Sequence, residues 1–406
     1  MAELRQNTWK LDQWYDQAVA GTTGGYQVDK YLYGWGENDK GTLALNDRND
    51  RSSPTQVGTA SDWGFLCKGQ DGFDHNGAIK KDGTLWMWGM DTDGELGLNA
   101  TYNAHKSSPT QVGTETTWSR LVTGGKENCM ATKTDGTLWT WGTNAAGGLG
   151  QNSGSTPQGT RSSPVQVGTG TDWGTGTTKI SSGYYTNFAI KTNGTLWTWG
   201  YNSDGQLGLN QPGLFISSPT QIPGTTWDKA AVQMYNHSAV IKTDGTLWTW
   251  GEGQYGQLGN NQNENNTRRY SSPIQVPGTT WASVTAHASS MYAVKTDGTL
   301  WTWGRNHEGQ LGINLGSPTT SRSSPTQVGT DTNWSTDPVH ITGAYESNVS
   351  LIKTDGTLWS WGSNAVAGGL GLNDRNARSS PTQVGTSSEW VAVSAAGVGG
   401  KTALSS

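Results

Sequence analysis

A stretch close to KTDGTLWTWG recurs six times, at 81–89, 133–142, 191–200, 242–251, 295–304 and 353–362. A seventh, degraded copy, YLYGWG, runs from Tyr31 to Gly36. The closing glycines, Gly36, Gly89, Gly142, Gly200, Gly251, Gly304 and Gly362, lie 53, 53, 58, 51, 53 and 58 residues apart. That spacing governs every other reading of the chain. Asp-Gly or Asn-Gly between alternating apolar residues, as at Asp82-Gly83, Asp135-Gly136 and Asn193-Gly194, predicts a β-hairpin with a two-residue type I′ turn. On the outgoing strand Leu85, Trp86 and Trp88 form a run too short for a helix and too bulky for a loop, which fits a strand buried on both faces.

Downstream, each copy carries an N-x-x-G-Q-L-G-like turn and then a Ser-Ser-Pro-Thr-Gln-Val-like segment around Pro54, Pro109, Pro164, Pro219, Pro273, Pro325 or Pro381. A lone tryptophan follows, at Trp63, Trp118, Trp173, Trp227, Trp281, Trp334 or Trp390. Seven units of four short strands, near the ~40–50 residues of a propeller blade, predict an all-β, seven-bladed β-propeller of four-stranded antiparallel blades. A linear solenoid is the competing arrangement. Residues 391–404 match the two strands that precede an Asp-Gly turn, and Tyr31 opens the two strands that follow one. The N- and C-terminal strands are therefore expected to share one blade and close the ring, where a solenoid would carry capping repeats.

Apolar residues make up only 32% of the chain and Phe occurs four times, but there are 22 tryptophans, of which only Trp9 and Trp14 fall outside the repeat slots. Each aromatic side chain can bury ~150–250 Å², worth a few kcal/mol at about 25 cal/mol per Å², so tryptophan supplies the core. The net charge of −5 with no Lys/Arg tract points away from nucleic acid and from anionic membrane surfaces. Cys67 and Cys129 have no metal-type spacing and read as free thiols. The first residues lack an apolar signal core, and no stretch approaches 18 apolar residues. The expectation is a soluble chain, cytoplasmic unless it belongs to a virion.

Two regions are expected: the propeller, 30–406, and an N-terminal extension, 1–29. Thr8 can cap a short helix in which Leu11, Trp14, Tyr15, Ala18 and Val19 share a stripe. That stripe either braces the ring or anchors it to a larger assembly. With strands A to D in order along each unit, the A–B and C–D connections emerge on one face, and the B–C and D–A connections on the other. The second face repeats Thr-Asp-Gly-Thr almost unchanged, whereas the first varies from unit to unit. The variable face carries Phe73, Tyr102, Tyr185, Phe215, Tyr235, Arg269, Tyr270 and Tyr345, residue types enriched at binding hot spots, and is the expected partner surface. Neutral drift of unconstrained loops would produce the same variation.

Enzymatic constellations are weak. Asp91-Thr92-Asp93-Gly94-Glu95 looks like part of a calcium loop, yet it fills the slot that reads Asn202-Ser203-Asp204-Gly205-Gln206 elsewhere, so a turn is expected and no metal or cofactor is predicted. The six histidines are scattered singly, with no triad order. The lysines before each turn, such as Lys133 and Lys242, read as partners of the turn aspartates or as a ring that binds an anion. Arg51, Arg161, Arg322 and Arg378 precede Ser-Ser-Pro in four units and are either structural or a surface feature.

G-x-N-x-x-G-Q-L-G, then S-S-P, then A-x-K-T-D-G-T-L-W, repeated over residues 31–406, resembles the RCC1-repeat family. The resemblance implies a seven-bladed propeller closed by its termini. The family's best-known member is a guanine nucleotide exchange factor that uses an inserted wedge and charged loops; no interval here has room for such a wedge. The family's G-x-x-H is eroded as well: His75 and His237 remain, while Asn128, Thr186, Ser290, Asn348 and Gly400 fill the other slots. The short, near-identical repeats look like those of bacterial and tailed-phage members. That likeness implies a non-enzymatic tail, fibre or capsid-surface component of a virion, bound to other particle proteins and to a host receptor. The alternative is a bacterial regulatory or inhibitor protein of this type, acting in guanine nucleotide exchange or enzyme inhibition.

Overall fold

The computed structural model describes residues 28–406 apart from 70–73, 101–102, 125–127, 154–158, 214, 233–235, 263–268, 288, 316–320, 345–346 and 398. The anchor residues Leu11, Trp14, Tyr15 and Val19 lie outside the described residues. The strands form seven antiparallel blades, each with A to D in order. Blade 1 joins A, Trp390–Ala396, and B, Gly400–Ser405, to C, Tyr31–Gly36, and D, Arg51–Gln56. Blade 2 comprises Trp63–Leu66, His75–Lys80, Leu85–Gly89 and Lys106–Gln111, and the short Lys68–Gly69 that follows its strand A pairs in parallel with strand A of blade 3, at Val122 and Thr123. Blade 3 comprises Trp118–Thr123, Asn128–Lys133, Leu138–Gly142 and Arg161–Gln166. Blade 4 comprises Ile180–Ser182, Thr186–Ile190, Leu196–Tyr201 and Phe215–Ile222. Blade 5 comprises Trp227–Val232, His237–Lys242, Leu247–Glu252 and Arg269–Val276. Blade 6 comprises Trp281–His287, Ser290–Lys295, Leu300–Gly304 and Arg322–Gln327. Blade 7 comprises Ile341–Ala344, Asn348–Ile352, Leu358–Gly362 and Arg378–Gln383.

The A strands stand next to one another around the axis and the half-exposed D strands form the rim. Blade 1 closes the ring as the termini predict, with Tyr31 opposite Ser405 and Trp35 opposite Lys401. Closing the ring in this way pairs strand B with strand C in blade 1 as in the others, and leaves only the short A and D edges of each blade.

The repeated motifs explain how blades lock together. In all seven, the last tryptophan of strand C donates its indole N–H to a backbone carbonyl in the C–D turn of the preceding blade. Trp250 Nε1 reaches Gln206 O at 2.8 Å and Trp303 Nε1 reaches Gln257 O at 2.9 Å. Trp35 Nε1 reaches Gly369 O at 3.2 Å across the closure. A second bond comes from the asparagine that closes each of these C–D turns, two residues past Leu-Gly or, in blade 1, past Leu43-Ala44. Asn210 takes a left-handed φ of 60° and its N–H donates to Ser271 O at 2.6 Å; Asn373, with φ 59°, donates to Ser52 O at 2.8 Å. Asparagine tolerates that conformation better than other residues that carry a Cβ. Thus G-Q-L-G-x-N and S-S-P are the two halves of each blade junction. The proline is tolerated because D is an edge strand with a bulge: Thr198 faces Thr220 but Gly200 faces Ile216, leaving Pro219 in the looped-out stretch.

The turn differs from the expected type I′. Gly83 has φ +82°, whereas Asp82 keeps a negative φ. Gly83 N–H donates to Lys80 O at 2.9 Å, and Lys80 N–H to Thr84 O at 3.0 Å. This is a three-residue loop, a type I turn followed by a left-handed glycine. The Asp82 carboxylate accepts from Thr84 N at 2.9 Å and Thr84 Oγ1 at 2.7 Å, which holds the aspartate at the second turn position. Lys80, rather than Lys81, therefore fills the lysine slot, standing opposite Trp63 as Lys133 stands opposite Trp118.

In blades 2, 3, 5 and 7 the lone tryptophan packs edge-on against both strand C indoles; Trp227 lies 6.3 Å from Trp248 and 6.3 Å from Trp250. Trp250 is fully buried and Trp248 half-buried, so the strand is apolar on both faces but only one is sealed. Cys67 and Cys129 are not bridged by a disulfide and lie buried in one cluster.

Candidate functional site

The A–B and C–D connections share one face, and that face is where the blades differ. Phe73, Tyr102, Tyr235 and Tyr345 lie outside the described residues. The structure places the other four predicted residues on blades 4 and 5. Phe215 opens strand D of blade 4 opposite Tyr201; Arg269 and Tyr270 open strand D of blade 5 opposite Glu252 and Gly251. These three were expected on loops and are strand residues. The cause is local: in both blades strand C continues one residue past its glycine, to Tyr201 and Glu252, and D pairs along it for eight residues instead of six.

At blade 4 the rings gather. Tyr185 sits 4.6 Å from Tyr184 and 6.4 Å from Tyr201, and Phe215 pairs with Tyr201 across the sheet edge. Phe215 is 38% exposed and borders a cavity of about 380 Å³ with Leu209, Pro212 and Ile216. Blade 5 adds charge. Arg269 Nε lies 2.5 Å from Asp204 Oδ1, and beside them burial raises the Glu252 carboxyl, with Asp204 adding to the rise and Arg269 opposing it. Arg269 therefore pairs with Asp204 and offsets its repulsion of Glu252 while facing solvent.

Sequence reasoning missed the continuation of this arc. Arg305 lies over Tyr255 at 5.4 Å and donates from Nε to His307 Nδ1 at 3.0 Å, while Tyr255 and His307 meet edge-on at 6.2 Å. Leu315, also in a C–D connection, is 39% exposed. Tyr201 and Arg305 share a slot, the residue after the closing glycine of strand C, and that slot was the available signal. Aromatic rings and arginines thus line an arc over blades 4 to 6.

The residues that suggested chemistry serve the turns. Asp91 Oδ1 accepts from Leu96 N at 3.2 Å and Glu95 Oε2 from Asp93 N at 2.7 Å, the turn role expected for that slot. Burial raises the Asp91 carboxyl. Arg51 and Arg378 brace their own C–D connections through Asp47 and Asp374, each at 2.6 Å, so these two arginines of the Arg-Ser-Ser-Pro slot are structural. Around the axis the polar groups are packed away from water. Burial lowers His75 to about 4, and burial with Lys401 and His237 nearby lowers His287 to about 3. Burial lowers Lys68, on the short strand that pairs with strand A of blade 3, to about 8, with Asp337 opposing the drop. Lys401 Nζ donates to Asn348 Oδ1. Among the described residues no group of three or more His, Cys, Asp or Glu is placed to hold a metal ion.

The lysine slot also differs from expectation. In six blades the ammonium lies between the lone tryptophan and the first tryptophan of strand C: Lys133 Nζ is 4.8 Å from the Trp118 ring and 3.7 Å from the Trp139 ring, and Lys242 Nζ is 4.6 and 4.1 Å from Trp227 and Trp248. Where the lysine has an acidic partner, the carboxylate comes from the D–A connection and not from the turn aspartate.

Comparison with known proteins agrees with this architecture. The family model for the RCC1-like domain matches residues 116–405, and that for the regulator of chromosome condensation (RCC1) repeat matches residues 82–132. The ultraviolet-B receptor UVR8 of Arabidopsis thaliana is 26% identical over 283 residues, covering 69% of this chain and 62% of the receptor. The Arabidopsis mitochondrial RCC1 domain-containing protein RUG3 is 28% identical over 302 residues, 71% of this chain and 64% of that protein. The chain thus spans less than two thirds of the length of these two relatives. The mouse secretion-regulating guanine nucleotide exchange factor is 25% identical over 366 residues, 83% of this chain and 75% of that protein. Yeast RCC1 (Prp20), solved bound to Kap60, superposes with a TM-score of 0.78 at 18% identity, covering 93% of this chain and 89% of Prp20; Prp20 is also described with binding to Gsp1p and histones. Human WBSCR16 superposes with a TM-score of 0.77 at 18% identity over 93% of this chain and 98% of that one. With seven four-stranded blades closed by its termini and the RCC1-like pattern matched over most of its length, the chain belongs to the RCC1-like domain family.

Proposed function

We propose that the chain is a non-enzymatic, protein-binding propeller of the regulatory type, and that a partner protein docks on the arc formed by Tyr184, Tyr185, Tyr201, Phe215 and Tyr270. The observation that carries the reading is the partly exposed aromatic cluster at blade 4, capped by the exposed Phe215 and set beside a cavity on an otherwise closed and rigid ring. Aromatic anchors next to a pocket, with charged groups at their margin, are what a hot-spot region requires. The named relatives include a receptor and an exchange factor, which favours the regulatory reading over a structural one. Membership of a tailed-phage particle, or an inhibitor role in a bacterium, rests on the near-identity of the repeats alone; mass spectrometry of purified particles tests the first. The segment before residue 30 is proposed as an anchor to the same assembly.

Replacing Phe215 and Tyr270 together by Ala is expected to weaken partner capture at least tenfold, as loss of two hot-spot rings does, while leaving the melting temperature nearly unchanged. Arg269 is left out of the pair because its removal frees Asp204 and Glu252 to repel. Undiminished capture by the double variant would refute the docking site.

A further inference from the structure

The six lysine and tryptophan clefts are built alike, but the chain itself supplies an acid to only some of them. Lys80 pairs with Asp62 at 3.0 Å, Lys133 with Glu115 at 2.6 Å, Lys191 with Asp172 at 3.0 Å and Lys353 with Asp331 at 2.6 Å. Each acid lies in the connection between strand D and the lone tryptophan, and each stays about half exposed. In blades 5 and 6 that connection is one residue shorter and reads Pro-Gly-Thr-Thr, at 223–226 and 277–280, with no acid in it. Lys242 and Lys295 keep the same seat between two indoles, Lys295 at 5.0 Å from the Trp281 ring and 3.9 Å from the Trp301 ring. Among the described residues neither lysine has a carboxylate within 4 Å.

The two clefts are neighbours on the ring. Beside Lys242 a groove of about 390 Å³ opens between blades 4 and 5, walled by Ile222, Pro223, Trp227, Trp248 and Pro273. An ammonium between two ring faces is attracted by their quadrupoles, but its three N–H groups still need acceptors. In four blades a carboxylate meets that need. In these two no such carboxylate is supplied, and at Lys242 the fixed cation faces a groove large enough for a side chain.

We propose that the clefts at Lys242 and Lys295 each receive the carboxylate of an Asp or Glu side chain from an acidic segment of a partner protein. The four filled clefts show the geometry: a half-exposed carboxylate at 2.6–3.0 Å from an ammonium already fixed by two indoles. Pre-seating the lysine lowers the entropy lost on binding. At Lys242 the groove walls suit the aliphatic part of the acidic side chain and its neighbours. This surface lies on the side of the Thr-Asp-Gly-Thr turns, apart from the aromatic arc, and the proposal does not depend on that arc.

The probe is an uncharged-capped peptide in which glutamates alternate with glycines, titrated into the full chain at low salt while tryptophan fluorescence is followed. Lys242→Gln with Lys295→Gln is expected to weaken binding about tenfold or more, in line with loss of a charge-assisted contact. Lys133→Gln, whose cleft has its own glutamate, is expected to leave binding unchanged. A second pair of variants retains both lysines. Thr226→Asp with Thr280→Asp places an acid immediately before the lone tryptophan, where Asp62 and Asp172 stand, and is expected to abolish peptide binding without lowering the melting temperature. Binding that survives both pairs of substitutions, or an absence of binding by the wild-type chain, overturns the proposal. Acetate or inorganic phosphate displacing the peptide at equal carboxylate or phosphate concentration would make the clefts small-anion sites and overturn the assignment to a protein segment.

Discussion

At the scale of single residues, tryptophan has two different tasks that the repeat presents as one. Trp250 is sealed and binds Gln206 O across a blade junction, whereas Trp248 is half-buried and donates its indole N–H to Thr246 Oγ1 in its own turn at 2.9 Å. Trp250→Phe removes a buried donor, leaves a carbonyl without its partner and opens a small void, and is expected to cost roughly 2–4 kcal/mol in urea unfolding. Trp248→Phe should cost less than half of that. The buried histidines give a pH signature with a definite sign. Their folded values, about 4 for His75 and about 3 for His287, lie below the ordinary 6.5, so the unfolded chain binds protons that the folded chain refuses. Stability is therefore intact above about pH 6.5 and declines as pH falls toward 4 and 3. Thermal melts from pH 7.5 to 4 should show the decline, and His75→Asn with His287→Asn should flatten it. A melting temperature independent of pH in wild type would contradict the burial of neutral imidazoles.

At the scale of elements, the hairpin was legible in the sequence as a hairpin but not as to its type. Asp-Gly is compatible with a two-residue and a three-residue loop, and the choice is made by Thr84, whose N–H and hydroxyl both bind Asp82. Gly83 tests this. A Cβ there would lie 2.1 Å from Thr116 O at φ +82°, whereas one on Gly113, at φ +60°, meets nothing within 4 Å. Gly113→Ala should therefore cost roughly 1 kcal/mol, the penalty of a left-handed alanine, and Gly83→Ala about 3 kcal/mol through added clash, as read from denaturation midpoints. The lysine seat was hidden for a similar reason. Trp118 and Trp139 are separated along the chain by a whole hairpin, and only the register of strands A, B and C brings both rings to Lys133. Likewise Phe215 and Arg269 read as loop residues because the extension of strand C past its glycine has no local sequence mark beyond Tyr201 and Glu252 themselves.

At the scale of the whole molecule, seven blades, their order and the terminal closure were all legible, because a period with split ends constrains topology more tightly than any local propensity does. What a partner meets was only half legible. Residue type and variability indicated the loop face, but the convergence of Tyr184, Tyr185, Tyr201 and Phe215 depends on two strands and a connection meeting at one end of blade 4. The ring makes the two faces chemically unlike: one is a rigid circle of near-identical turns, the other an aromatic and cationic arc over blades 4 to 6. The central claim is that the arc is the docking surface. The most direct measurement is site-specific photocrosslinking with benzoylphenylalanine at position 215, compared with the exposed position 114 on the opposite face, in an extract of the organism that produces the chain. The account predicts a discrete crosslinked partner from position 215, competed away by unlabelled wild-type chain but not by the Phe215→Ala, Tyr270→Ala variant. Crosslinking of that partner from position 114 and not from position 215 would contradict it.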